Sequence, residues 1–234
     1  MFYKLSNSVT KKQLEHEIGM PFEHPNIYCP NPIVDGLKET TLPIIIAEKP
    51  KVISHGIWGI LPKEYEGSWE DFQNVYNTLN FTASEIKTNS IYSHAYQNRR
   101  CLIIVDGFFT SYYMHKKMYP IYVFNSTKKP FFIAGIYNKL SDGFITCSLL
   151  LKKATSFISK IQNLTSLMPA IIDPQFKDEW LNSNTDLKEI DHILQQQSEI
   201  TLKAHPIARD FYEQGIIYES ILDPVYYNQE LIFD

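Results

Sequence analysis

The seven histidines, His16, His24, His55, His94, His115, His192 and His205, are the first candidates for chemistry in this sequence. None stands in an HExxH pair or in a His/Cys spacing that would hold a metal, so structural or surface histidine is the better reading and no metal is expected. The nine glycines fall in no GxGxxG order, and no G-x-S-x-G elbow occurs, so neither a phosphate-cradling loop nor a serine-hydrolase nucleophile is expected. Acidic pairs such as Asp178-Glu179 lie on expected helix faces, where solvated charge explains them. Cys29, Cys101 and Cys147 are few, odd in number and widely spaced. They suggest neither a disulfide framework nor a zinc site, and they fit a reducing compartment.

Some residues suit contact with a nucleic acid. Asn98-Arg99-Arg100 could grip phosphate or could simply be a basic loop before a strand, and both readings stand. Lys116-Lys117 and Lys128-Lys129 fall where hairpin turns are expected, and solvated lysine is the default there. Lys152-Lys153 is a third basic pair. Tyr65 and Trp69 lie in a polar stretch, where an exposed aromatic could stack on bases. Burial on one helix face is the safer reading for Trp69, and a core position is the safer reading for Trp58. The formal net charge of −4 argues against a wholly basic surface but leaves room for a local basic groove.

The elements that must position these residues follow from pattern. Ser8-Val9-Thr10 before KKQLEHEIG predicts a capped helix near 8–18, closed by Gly19. Residues 20–43 carry five prolines and no clear period, and they read as an ordered connector. Strands are expected over 42–47 and 51–61, over 99–109 running into a turn at Asp106-Gly107, and over 121–124, 131–137 and 144–151. SWEDFQNVYNTL has helical spacing, with Trp69, Phe72, Val75 and Tyr76 near one face. Further helices are expected over 153–161, over 173–181 with Asp173 as cap and Pro174 at its first position, and over 186–197. Chain length, 44% hydrophobic and 21% charged residues fit a globular chain with a sizeable core, and the 14% aromatic share suits a sheet-rich one. The reading is a single α+β domain over 1–234, β-rich with helices added late. No stretch reaches membrane-span length and no signal-peptide pattern opens the chain, so a cytoplasmic protein is expected.

One ordered series adds a resemblance. Trp58-Gly-Ile-Leu-Pro62, Arg99-Arg-Cys-Leu-Ile-Ile-Val-Asp-Gly-Phe-Phe109, Pro120, Ala134-Gly-Ile-Tyr137, Thr146, Ile161, Met168-Pro169, Trp180-Leu181 and His205-Pro206 together resemble the SRAP family, the abasic-site processing or SOS-response-associated peptidases. The resemblance runs to about residue 210. It implies a pseudo-barrel of strands with helices packed outside, binding to single-stranded DNA and capture of abasic sites. In the family the attacking group is a cysteine at position two, freed when the initiator Met is removed, and that cysteine also underlies the suggested self-cleavage. Its α-amine forms a Schiff base with the sugar aldehyde and its thiol closes a five-membered ring. A carboxylate and an imidazole shuttle protons. An N-A-R motif positions DNA through its Asn and binds phosphate through its Arg.

The sequence departs from that pattern where the chemistry lies. Position two is Phe2, which has no thiol and should hinder Met removal. The family's carboxylate falls on Thr110 and its histidine on Gln162. A threonine usual after the AGIY strand becomes Leu151, and Lys4 stands where many members have Arg. Asn80 takes the place of the motif's Asn, with one residue inserted after it, and the Arg is absent. Residues that build the fold persist while those that react are replaced. That split implies a catalytically degenerate copy that could bind single-stranded or abasic DNA without crosslinking, and no cofactor is expected. Two alternatives remain open. One is an active member using an amine, that of Met1 or Lys4, to form a Schiff base and cleave by β-elimination. The other is an interaction module for a different ligand.

Overall fold

A computed structural model of the chain describes residues 2–196, 198–213 and 218–227. In chain order the first half comprises β1 (Lys4–Asn7), α1 (Lys11–Ile18), β2 (Asn31–Asp35), β3 (Thr41–Ile46), β4 (Ser54–Trp58), α2 (Trp69–Val75), β5 (Asn80–Thr82), α3 (Ala83–Thr88) and α4 (Ser90–Asn98). The central strands are β6 (Arg100–Val105), β7 (Gly107–Met114), β8 (Lys117–Asn125), β9 (Phe131–Lys139) and β10 (Ile145–Lys153). Then come α5 (Ser156–Ile161), β11 (Leu167–Pro169), β12 (Ile171–Ile172), α6 (Lys177–Leu181), α7 (Leu187–Gln195) and β13 (Leu202–Pro206).

Five strands close on themselves. β3 pairs with β4 and β6, β6 with β9, and β9 with β10, all antiparallel, and β10 returns to β4 in parallel. The long β10 also pairs with β5 and β11, while β12 extends β9. A second sheet runs β13-β8-β7-β1-β2. The α+β class expected from the sequence is the one observed.

The unbroken apolar runs in the sequence follow from strands that are covered on both faces. Ile44, Ile46, Cys101, Ile103 and Val105 point to one cluster, which also takes Leu5, Phe108, Ile121 and Val123 from the second sheet. Their alternating neighbours Ile45, Leu102 and Ile104 point to the outside of the barrel. There they meet Leu14, Tyr92, Tyr96, Trp180, Ile190 and Ile193 from the helices. A third cluster covers the other face of the second sheet with Phe109, Tyr122, Phe211 and Ile221.

Local signals place several ends well. Thr10 and Gln13 form a capping box at the start of α1, and Gly19 closes the helix with φ of +74°. Asp173 caps a short 3-10 turn, Pro174–Phe176, that leads into α6, so the helix expected over 173–181 is two short pieces. Gln197, the expected end of the next helix, lies outside the described residues.

Other expectations need correction. Asp106-Gly107 is not a chain-reversing turn. It is a bend at which the chain leaves the barrel as β6 and enters the second sheet as β7. Asp106 fixes this corner by accepting from the Ser8 amide and hydroxyl at 2.5 and 2.6 Å and from the Val9 amide at 3.1 Å. A Cβ at Gly107 would lie 2.3 Å from the Tyr122 ring, so only glycine fits. The connector 20–43 contains β2, whose Pro32 sits in an edge strand where a missing N–H is tolerated, and it runs into β3 at Thr41. The helix expected from 153 begins at Ser156, because β10 continues through Lys153 to pair with β11.

Candidate functional site

The second residue of the chain is the natural centre of the site, and its side chain is core. Phe2 is only 3% exposed and belongs to the cluster that holds Phe108, Leu151, Ile158, Ile161 and Met168. Its ring meets Phe108 edge-on with centroids 5.9 Å apart. Asn80, buried on β5, donates from Nδ2 to the Phe2 carbonyl at 2.8 Å. β5 pairs in parallel with β10, which sets Leu149 opposite Asn80 and Leu151 opposite Thr82.

Thr110 lies two residues beyond Phe108 on β7 and so faces the same side of the sheet. Its hydroxyl donates to Gln162 Oε1 at 2.6 Å, across 52 positions of sequence. Gln162, at the C-cap of α5, donates in turn to the carbonyls of Thr165 and Leu167 at 2.9 and 2.7 Å. Thus Phe2 joins Asn80 by a hydrogen bond and Leu151 in one cluster, while Thr110 joins Gln162. None of the five side chains carries a charge. The hydroxyl and the amide are committed to each other and to backbone, so the arrangement offers no thiol, carboxylate or imidazole at these positions.

Two further residues support the site without a sequence signal that singled them out. Phe108 forms the floor under Phe2, and strand alternation from Thr110 could have found it. Asn163 exchanges two hydrogen bonds of 2.8 Å with the backbone of Tyr113, which ties the segment after α5 to β7. That pairing depends on a contact across 50 positions.

The expected nucleic-acid contacts divide by burial. Arg100 is 2% exposed, and its guanidinium donates to the carbonyls of Tyr96, Gln97, Trp180 and Asn182. Those donors are committed within the fold, which removes Arg100 from the phosphate candidates. Trp69 is 6% exposed and donates its indole N–H to the Trp58 carbonyl at 2.9 Å, so it presents no stacking face and the core reading holds. Arg99 is half-buried and bonded to Asn138 Oδ1, the Tyr137 carbonyl and His94. Tyr65 is partly exposed, edge-on to Phe72, with its hydroxyl donating to the Ser68 carbonyl.

Lys4 donates to the Phe211 carbonyl at 2.7 Å and lies over the Phe211 ring. Burial pushes its amine pKa down, with Asp35 opposing that shift. Phe211 belongs to the cluster on the far face of the second sheet, with Phe109, whereas Thr110 follows Phe108 on the near face. Lys4 is therefore held away from Thr110 and Gln162. Met1, the other amine considered, lies outside the described residues. Among those residues no three His, Cys, Asp or Glu side chains group as metal ligands, and no helix is long and apolar enough to cross a membrane.

Comparison with known proteins gives this geometry a context. A family model described as SOS response associated peptidase (SRAP) matches residues 2–213. Among solved structures, a protein from Bacteroides thetaiotaomicron is similar with a TM-score of 0.84, at 21% identity over 96% of this chain and 100% of that one. A protein from Bordetella bronchiseptica has a TM-score of 0.72, at 14% identity over 88% of this chain and 99% of its own. A phage-related protein from the same organism has a TM-score of 0.63, also at 14% identity, over 88% and 94% of the two chains. At these identities the likeness is one of fold. No curated protein matches the sequence. The family match spans nearly the whole described chain, and with the barrel and its second sheet it leads to one statement: this chain belongs to the SRAP family.

Proposed function

We propose that this chain is a catalytically degenerate SRAP protein, one that contacts single-stranded or abasic DNA without forming the thiazolidine crosslink. The observation that carries the reading is Phe2. Crosslinking needs an amine and a thiol at the free N-terminal residue, and here that position holds a ring packed on Phe108 with its carbonyl held by Asn80. The Thr110–Gln162 hydrogen bond supports it further, since a neutral pair occupies the positions of the family's acid and base. Loss of proton shuttling alone costs roughly 10²–10⁴-fold in rate. Loss of the thiol removes ring closure altogether. The DNA contact would rest on Tyr65 and the exposed lysines, since Arg100 and Trp69 are buried.

The test is denaturing electrophoresis after incubation with an abasic single-stranded oligonucleotide, run with and without borohydride, beside a native gel shift. A gel shift with no heat-stable adduct is expected. A stable adduct formed without reductant would overturn the proposal. An adduct seen only with reductant would favour an amine nucleophile instead. Phe2→Cys should restore weak crosslinking at best, and adding Thr110→Glu and Gln162→His should raise it.

A further inference from the structure

Where the start of the second sheet meets the barrel edge, the chain forms a cleft of about 380 Å³. That is within the range of small-molecule sites. Tyr28, Cys29, Asn31, Thr41, Pro43 and His55 are among its walls. None of Phe2, Thr110, Leu151 or Gln162 lines it, so it is separate from the family site.

Two properties of the walls define what fits. First, the cleft carries no Asp, Glu, Lys or Arg among its lining residues. Its one titratable base is neutral, because burial pushes His55 down to about 4. A charged ligand would find no opposite charge on these walls to pair with. Second, the wall combines apolar surface with hydrogen-bonding groups. Phe22 stacks between Tyr28 and His55, with centroid distances of 4.8 and 5.2 Å. Yet neither ring nitrogen of His55 has a hydrogen-bond partner, although both are closed off from solvent. A neutral imidazole carries one donor and one acceptor, and leaving both unmade is costly. Polar groups that fold into place with no partner call for an explanation.

We infer that this cleft is a binding site for an uncharged, nucleoside-sized heteroaromatic ligand, with a small turn of the His55 ring presenting a nitrogen to the ligand's donor–acceptor edge. Flat ring faces on the ligand suit the proline and tyrosine surfaces, and its polar edge suits His55 and the Asn31 and Thr41 side chains. The inference is independent of whether the Phe2 site is degenerate.

The cleft carries its own reporter. Cys29 lines it and is exposed, while Cys101 and Cys147 are buried. Alkylation of the folded protein by N-ethylmaleimide should therefore mark Cys29 alone, as read by mass spectrometry. Uridine and adenosine are the probes. At least one should slow Cys29 alkylation several-fold in a saturable way, and its 5′-monophosphate should do so at least tenfold less effectively. His55→Phe keeps the ring stack and removes both nitrogens. It should weaken the nucleoside about tenfold, the worth of one hydrogen bond, without lowering the melting temperature. Absence of protection by either nucleoside at millimolar concentration would overturn the inference. So would equal protection by the monophosphate, or a His55→Phe variant that binds as well as the parent.

Discussion

At the scale of the residue, the site is decided by what Phe2 does with its ring. A side chain 3% exposed at the second position makes the start of the chain part of the core. Phe2→Ala should lower unfolding free energy by about 3 kcal/mol, through lost burial and the cavity left behind. The shift in urea midpoint measures it, and a change below about 0.5 kcal/mol would show that the ring adds nothing. His55 sets a pH response. Burial, aided by the charge of nearby His24 and opposed by Glu23, takes its pKa from 6.5 to about 4. The unfolded chain then binds a proton that the folded one refuses between those values. Stability from this group is full above pH 6.5 and is lost as pH falls toward 4. In His55→Phe that part of the pH dependence should vanish, which parallel denaturation series at pH 7 and 4.5 would reveal.

At the scale of the element, Arg100 shows how an apparent ligand group becomes a cap. Tyr96 and Gln97 lie in the last turn of α4, Trp180 in the last turn of α6, and Asn182 is the C-cap of α6. Their carbonyls are the orphans of two helix C-termini, and one cation satisfies both ends. Arg100→Met should cost about 3–5 kcal/mol, as buried networks do when one partner is removed. Arg100→Lys should recover little, because an ammonium lacks the planar fork that reaches two sets of carbonyls. Denaturant unfolding followed by far-UV circular dichroism checks both variants. If DNA binding fell while stability held, the phosphate reading of Arg100 would return.

At the scale of the whole molecule, the family match ends at 213 while the fold does not. Residues 218–227 run over the outer face of the second sheet. Ile221 is fully buried there, the Val225 amide donates to the Pro206 carbonyl at 2.9 Å, and Tyr227 donates to the Ile207 carbonyl at 2.7 Å. His205 bonds the Leu222 carbonyl while its ring stands edge-on to Tyr122 and Phe124. A chain cut after 213 would remove Tyr218, Ile221 and Leu222 from the cluster of Phe109, Tyr122 and Phe211. Its melting temperature should fall by about 5–10 °C, and dye binding to exposed apolar surface should rise. An unchanged melting temperature would mean that the segment only rests on the sheet.

The sequence by itself determined what depends on neighbours along the chain. Thr10 with Gln13, Gly19, and Asp173 before Pro174 marked ends because caps act over three or four residues. The apolar runs at 42–47 and 101–105 marked buried strands, and the ordered motifs marked the family. After Asn80 a local helix signal exists for α3, the capping box of Thr82 with Glu85, whereas the SIYSHAYQN of α4 is weakly patterned and gives little warning of a helix. Only the tertiary structure decided the rest. Closure of β10 onto β4, the partnership of Thr110 with Gln162, and the hold of Asn80 on Phe2 all join residues far apart in sequence. Arg99 and Arg100 are adjacent and chemically alike, yet one is half-buried at an edge and the other is sealed beneath two helix ends. Burial settles such cases, and burial is a property of what packs against a residue from elsewhere in the chain.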